Sequence, residues 1–142
     1  MTELPDDIYE GVKQLCATGD AAAERERYRD AISWYARALE LLPPPITRWN
    51  AATWIYTAIA DAYFLAGDSP AALDALDKAM ESPGSLGNPF LHLRRGQALF
   101  DVGRREEAAN ELARAYMAED GDIFDNEDPK YFAFLKTVLR DS

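Results

Sequence analysis

Small and large apolar residues recur in the same order at three places along the chain. In each place, a small residue is followed four residues later by a large one and three residues after that by another small one. The three rows are Ala31, Tyr35, Ala38; Ala72, Leu76, Ala79; and Ala108, Leu112, Ala115. Positions i, i+4 and i+7 lie on one side of an α-helix. Because closely crossing helices need a small residue beside a large one, the rows predict three packed helices.

A further helix precedes each of these three, so that the chain is expected to form helix pairs. The second and third pairs turn at Gly67 and Gly103, whereas Glu26 stands at the corresponding position of the first pair. Glycine is the usual residue where a helix ends in a left-handed turn. Including one more helix at the end of the chain, the pattern predicts helices over 6–24, 29–42, 50–66, 70–81, 89–102, 105–118 and 129–139.

Segments rich in proline and glycine separate the helix pairs. The first, 43–49, begins with three prolines and ends at Trp49, which we expect to pack back onto the helices. Asn50 follows and is a candidate N-cap for the next helix. The second segment, 81–88, contains Pro83 and two glycines and reads as a loop.

The region 119–128 contains six acidic residues and no basic one. Its apolar residues Ile123 and Phe124 would be unnecessary in a disordered tail, so we expect Phe124 to anchor the loop to the core. The last helix carries apolar residues on one face. The simplest interpretation is that it caps the end of a helical stack.

The segment 90–116 resembles one tetratricopeptide repeat (TPR), a pair of antiparallel helices that buries its apolar face by stacking on other pairs. The resemblance implies an all-α fold, with three TPR-like helical hairpins stacked in a right-handed superhelix and a C-terminal capping helix. We expect one TPR-like domain over 1–142. Its predicted parts are repeats at about 6–43, 50–82 and 89–118, an acidic loop at 119–128 and a capping helix at 129–140.

The chain has 142 residues, 28% of them charged, and a formal net charge of −10. This charge argues against nonspecific nucleic-acid binding, in which Lys and Arg must meet the phosphates. It equally disfavours anionic membrane surfaces. Acidity favours a basic protein partner, although solubility alone would account for it as well.

Cys16 and His92 are the only cysteine and histidine, and they lie far apart in the sequence. An internal disulfide and the usual zinc clusters are therefore excluded, and we expect no metal and no cofactor. The N-terminal residues are acidic and lack the apolar segment of a secretory signal. No apolar run is long enough to span a bilayer, so we predict a cytoplasmic protein.

No catalytic arrangement stands out in the sequence. Serine or cysteine triads, phosphate-binding glycine loops and metal-ligand spacings are all missing. His92 has no acid or nucleophile in a suggestive position, so we expect it to be structural or on the surface. The chain is therefore predicted not to be an enzyme and not to act on a small molecule.

In stacked TPR pairs the first helices line a concave groove, and their residues outside the packing row face into it. Here these positions hold aromatic rings flanked by carboxylates, which suit a basic, partly apolar protein. The predicted partner-binding residues are Asp20, Trp54, Thr57, Asp61, Phe64, Phe90, Leu93, Gln97, Phe100 and Asp101. The alternative is that the acidic loop or the last helix folds back and covers some of these rings.

A closer resemblance covers most of the chain. The strings WIYTAIADAYFLAGD (54–68), GNPFLHLRRGQALFDVG (87–103), ELARAYM (111–117) and IFDNEDPKYFAFLK (123–136) are similar to a family of small bacterial TPR proteins. Members of that family are often encoded beside polymorphic or contact-delivered toxins. The resemblance implies an immunity protein that binds and neutralises a cognate toxin, here a basic toxin domain, in the cytoplasm.

Two other TPR functions remain open, and one is disfavoured. A type III secretion chaperone is also small, acidic and built from three repeats, and a general TPR adaptor could bind a basic or apolar peptide segment. TPR domains that grip C-terminal carboxylates use groove lysines, arginines and asparagines. The equivalent positions here are Cys16, Asp20, Thr57, Asp61, Leu93 and Gln97, which have the wrong charge and polarity.

Overall fold

The computed structural model describes residues 4–140. Within this range the chain forms seven α-helices and two short 3-10 segments, and no residue lies in a strand. The helices are α1 (Asp6–Glu24), α2 (Tyr28–Glu40), α3 (Asn50–Leu65), α4 (Ser69–Met80), α5 (Pro89–Asp101), α6 (Arg105–Glu119) and α7 (Pro129–Arg140), with 3-10 segments at Ile46–Arg48 and Asp120–Phe124. The predicted all-α class is confirmed. Each helix begins within one residue and ends within two residues of its expected position.

The chain divides into two compact units, Met1–Leu86 and Gly87–Ser142. In the first unit, α1 packs on α2, α2 packs on α3, and α3 packs on α4. In the second unit, α5 packs on α6, and α6 also contacts α7. The helices are therefore paired as hairpins α1–α2, α3–α4 and α5–α6, as the sequence pattern predicted.

The three small–large–small rows form the centres of these hairpins. All nine side chains are buried, and eight of the nine are fully so, with only Tyr35 retaining 3% exposure. A Cβ atom added at Gly96 of α5 would lie 2.7 Å from Leu112 side-chain atoms of α6. At Gly19 of α1 it would lie 2.6 Å from the Tyr35 ring of α2. In the first and third rows the large residue thus occupies space that a glycine on the facing helix leaves open.

The turn of the first hairpin is made without glycine. Glu26 has φ = 60°, in the same left-handed region as Gly67 and Gly103, which both have φ = 87°. In all three hairpins a backbone N–H just after this position bonds back to the end of the first helix, as Arg27 N does to Ala22 O at 2.9 Å. A non-glycine residue costs about 1 kcal/mol in this conformation. The mismatch noted in the sequence is therefore accommodated by strain at Glu26 rather than by a different turn.

The linker before α3 folds back as expected, but its capping differs from the prediction. Trp49 is buried, and its Nε1 donates a hydrogen bond of 2.7 Å to the Pro43 carbonyl. Asn50 was expected to cap α3 and is instead its first residue, with Trp49 at the cap position and no side-chain cap. The Trp49 carbonyl accepts the first helical bond from Ala52 N, so the anchored indole sets the start of the helix.

Candidate functional site

An open groove runs between α1 and α3 in the first unit, with Tyr35 of α2 contributing to its lining. It consists of two adjoining pockets of about 340 and 320 Å³, which share Asp20, Tyr35 and Ala58. The remaining lining residues are Lys13, Cys16, Ala17, Ala23 and Glu24 from α1 and Trp54, Asp61, Ala62 and Leu65 from α3. This surface is called the α1/α3 groove below.

The α1/α3 groove is acidic. Asp20 and Glu24 line it from α1 and Asp61 lines it from α3, against the single base Lys13. The Tyr35 hydroxyl donates a hydrogen bond of 2.6 Å to Asp20 Oδ1, which fixes the orientation of that carboxylate. Burial, reinforced by the hydrogen bond to Asp20, raises the pKa of Tyr35 above its ordinary value. The phenol therefore remains a donor across the physiological pH range.

Apolar side chains lie at the two ends of the α1/α3 groove. Trp54 is 40% exposed and Leu65 is 53% exposed, although both are large hydrophobic residues on α3. Alanines lie between them along the groove. A surface that combines exposed apolar ends with central carboxylates fits a partner carrying both apolar and basic side chains.

The structure brings together three of the predicted binding residues in this groove: Asp20, Trp54 and Asp61. Thr57 and Phe64 do not line either pocket. The Thr57 hydroxyl donates to the Thr53 carbonyl of its own helix at 2.6 Å, and Phe64 is half-buried.

The predicted residues on α5 have a different environment, because the end of the chain contacts three of them, Gln97, Phe100 and Asp101. Leu93 and Gln97 are 1% and 0% exposed. Glu127 Oε1, in the acidic loop, accepts hydrogen bonds from Gln97 Nε2 at 2.8 Å and from Arg94 at 2.9 Å. Both positions are therefore closed in this structure, and at Gln97 the acidic loop contributes to the cover.

Helix α7 covers the C-terminal end of α5. The Phe100 ring lies 5.6 Å from the Tyr131 ring and 4.9 Å from the Phe134 ring, centroid to centroid. The Tyr131 hydroxyl bonds to Asp101 Oδ1 at 2.8 Å. Phe90, at the other end of α5, remains 39% exposed. Of the five predicted α5 residues, it is the one whose ring stays open to a partner.

The acidic loop itself is anchored as the sequence predicted. Phe124 is 5% exposed, and its ring stacks on Phe132 of α7 at a centroid distance of 4.7 Å. The acidic loop is thus held to α7 by an aromatic contact and to α5 by the hydrogen bonds of Glu127.

Sequence reasoning did not assign Glu24, Tyr35 and Leu65 to the site. Leu65 lies four residues after Asp61 and eleven after Trp54, which is the spacing of one helix face. The spacing therefore indicates that Leu65 lies on the same face of α3 as the two predicted residues. Tyr35 was assigned to the packing row, and its ring does pack on Gly19, while its hydroxyl reaches the groove.

His92 is buried and has a structural environment. Its Nδ1 lies 2.9 Å from Glu111 Oε2, and its Nε2 accepts a hydrogen bond of 3.1 Å from Gly87 N. The acceptor role of Nε2 places the proton of the neutral ring on Nδ1. Since both nitrogens are engaged within the protein, this histidine is poorly placed to exchange protons with a substrate.

No group of His, Cys, Asp and Glu side chains in residues 4–140 is arranged to hold a metal ion. No helix there combines the length and the hydropathy needed to cross a bilayer.

Cys16 offers a chemical probe of the groove. Burial, and then the Asp20 carboxylate, raise the pKa of this thiol to about 11. At mildly alkaline pH its thiolate fraction is thereby lowered about 100-fold. We expect iodoacetamide to alkylate Cys16 at least that much more slowly in the native protein than in guanidinium, with the native rate rising as the pH approaches 11. Mass spectrometry measures both rates, and equal rates in the two states would contradict this environment.

Comparison with protein-family models and with curated proteins gave no match. Solved structures do match. The first TPR of Spaghetti (RPAP3) bound to the HSP90 peptide SRMEEVD is 18% identical over 93% of each chain, with a TM-score of 0.70. The TPR domain of Arabidopsis OM64 is 22% identical over 95% of this chain and 99% of that one, with a TM-score of 0.71.

A third similar structure is the Yersinia enterocolitica type III secretion chaperone SycD in complex with a peptide of the translocator YopD. It is 14% identical over 99% of this chain and 100% of that chain, with a TM-score of 0.70. Likeness over nearly the whole length confirms the TPR-like helical fold expected from the sequence.

Proposed function

We propose that this chain is a non-catalytic protein-binding module whose α1/α3 groove holds a basic, partly apolar partner. One observation carries the proposal: Asp20 and Asp61 line the same open groove, which ends in the exposed ring of Trp54. Buried aromatic anchors and complementary charges are the features that give protein interfaces affinity and fast association.

Two of the similar structures contain bound peptides, which supports a binding function for the shared fold. The HSP90 peptide SRMEEVD seen with RPAP3 carries three acidic residues. Asp20, Glu24 and Asp61 would repel such a peptide. The partner of this chain therefore differs in charge from that of RPAP3.

The partner we propose is a basic toxin domain, which the chain binds and neutralises in the cytoplasm as an immunity protein. The resemblance of four strings to small bacterial TPR proteins supports this role, as does the net charge of −10. An acidic inhibitor attracts a basic domain over about one Debye length, roughly 8 Å at physiological ionic strength, so that the complex forms quickly. Occlusion of the toxin by the bound module requires no catalysis.

The second candidate is a chaperone for a secreted, partly unfolded protein. The specific observation in its favour is the similarity to SycD, which covers 99% of this chain and 100% of the SycD chain. The two functions predict different complexes. An immunity protein binds a folded domain, whereas a chaperone of this type holds an extended segment.

The experiment is co-expression with the product of the neighbouring gene, followed by a growth assay and measurement of binding rates. If the proposal is correct, the chain restores growth and forms a stable complex with the folded domain. Loss of the complex on unfolding the domain would support immunity, whereas persistence of the complex would support the chaperone function.

Reversing one groove charge tests where the partner binds. Asp61→Lys is expected to slow association about tenfold and to flatten its dependence on salt, because it removes a negative charge and adds a positive one on the groove wall. Stopped-flow or surface-binding kinetics at several salt concentrations measure both effects. Asp74→Lys is the matched control, since Asp74 is exposed on α4 of the same unit, outside the groove. Equal effects of the two variants would mean that only the total charge matters.

A further inference from the structure

The lining of the α1/α3 groove extends over the same length on both of its walls. It runs from Lys13 to Glu24 on α1 and from Trp54 to Leu65 on α3, eleven residue steps on each helix. At about 1.5 Å per residue, each wall is about 16 Å long, or three helical turns. An occupant therefore meets two helices of matching length.

The chemistry of the walls favours a helical occupant over an extended one. An extended segment needs partners for its backbone N–H and C=O groups, but the wall helices use their own backbone groups internally. A helix satisfies its backbone within itself. Small side chains such as Ala17 and Ala58 line the groove and allow a third helix to approach closely.

The side chains that a helix would meet follow a fixed spacing along α3. Trp54 and Asp61 are seven residues apart, and Asp61 and Leu65 are four apart. A helix lying along α3 has the same rise per residue, so its contacting residues also stand seven and four apart. Positions i, i+7 and i+11 fall on one helix face.

We propose that the groove binds an amphipathic helix of about three turns that carries one basic residue within its apolar face. The Lys or Arg lies beside Asp20 and Asp61, and one apolar side chain packs at each end, against Trp54 and against Leu65. The Tyr35 hydroxyl holds Asp20 in the orientation that receives the cation. This inference rests on the proposed function and specifies the element of the partner that is recognised.

Designed peptides of about 16 residues test the inference with the full-length protein. An alanine–glutamine host carries leucine, arginine and leucine at i, i+7 and i+11, and a second peptide carries them in the reverse order to allow for either direction. In the matched controls, the arginine is moved two residues to the opposite face, replaced by glutamate, or preceded by a proline that breaks the helix. Calorimetry gives the affinities, and circular dichroism reports helix formation on binding.

At least one of the two matched peptides is expected to bind at least tenfold more tightly than the shifted and glutamate controls, and to gain helicity on binding. Its affinity for the Asp61→Lys protein is expected to be about tenfold lower than for the unchanged protein. If the proline-containing peptide binds as tightly as its parent, the occupant is not a helix, and the groove binds extended chains instead. Absence of any preference between matched and shifted peptides would also overturn the inference. The response of the natural partner to Asp61→Lys decides separately whether the groove is the binding site, so the two failures are distinguishable.

Discussion

Gly96→Val is expected to lower the free energy of unfolding by about 3 kcal/mol, because the new side chain has no space at the α5–α6 crossing. A Cβ atom alone would lie 2.7 Å from Leu112 Cγ and Cδ2 and 3.0 Å from Leu112 N. The backbone nitrogen cannot move without displacing α6. Urea unfolding followed by far-UV circular dichroism measures the loss, and amide hydrogen exchange is expected to show the largest increase in α5 and α6.

Gly11→Val in α1 is the matched control. Its Cβ atom would meet a single atom at 3.0 Å, the Leu41 Cδ1 methyl, which lies at the end of a flexible and exposed side chain. Valine also has a higher helix propensity than glycine by a few tenths of a kcal/mol, so we expect a change within about 0.5 kcal/mol. A similar loss at both glycines would mean that the close contact with Leu112 is not the cause of the destabilisation.

The helices and their pairing could be predicted from the sequence because the signals are local. Ala108 and Leu112 are four residues apart, and that spacing alone indicates the packed face of α6. The turns at Gly67 and Gly103 are equally local. Glu26 shows that the hairpin persists without the glycine, since packing of Tyr35 against Gly19 holds the two helices together.

The groove of the first unit was predictable for a related reason. Asp20 and Asp61 lie on α1 and α3, the first helices of two successive hairpins, where corresponding faces point the same way in stacked repeats. The structure places both residues in one groove. Leu65 lies on the same face of α3, eleven residues after Trp54, but was not assigned to the site.

The environment of α5 could not be read from the sequence, because it depends on contacts between distant residues. Gln97 and Glu127 are thirty positions apart, as are Asp101 and Tyr131. The helical period identifies the face of α5 that lies outside the packing row, but it does not tell whether water, a partner or the chain itself covers that face. The hydrogen bonds of Glu127 and Tyr131 and the aromatic contacts of Phe100 with α7 join residues about thirty positions apart, so the helical period of α5 does not reveal them.

Leu135→Ala is expected to lower the free energy of unfolding by about 3 kcal/mol, since truncation of a fully buried leucine removes its packing and leaves a cavity. Leu135 is 0% exposed on α7. Leu139→Ala, one turn further along the same helix, is the control, because Leu139 is 41% exposed and its truncation should cost less than about 0.5 kcal/mol. Urea unfolding compares the two variants.

The same pair of variants tests whether α7 is what keeps Phe100 from a partner. Loosening α7 by Leu135→Ala should also raise amide exchange at the C-terminal end of α5, where Phe100 contacts Tyr131 and Phe134. If partner binding uses the α1/α3 groove, affinity stays unchanged in the folded variant even as this exchange rises. An affinity that increases together with the exchange would show that the face beneath α7 also binds the partner, and that α7 competes with it.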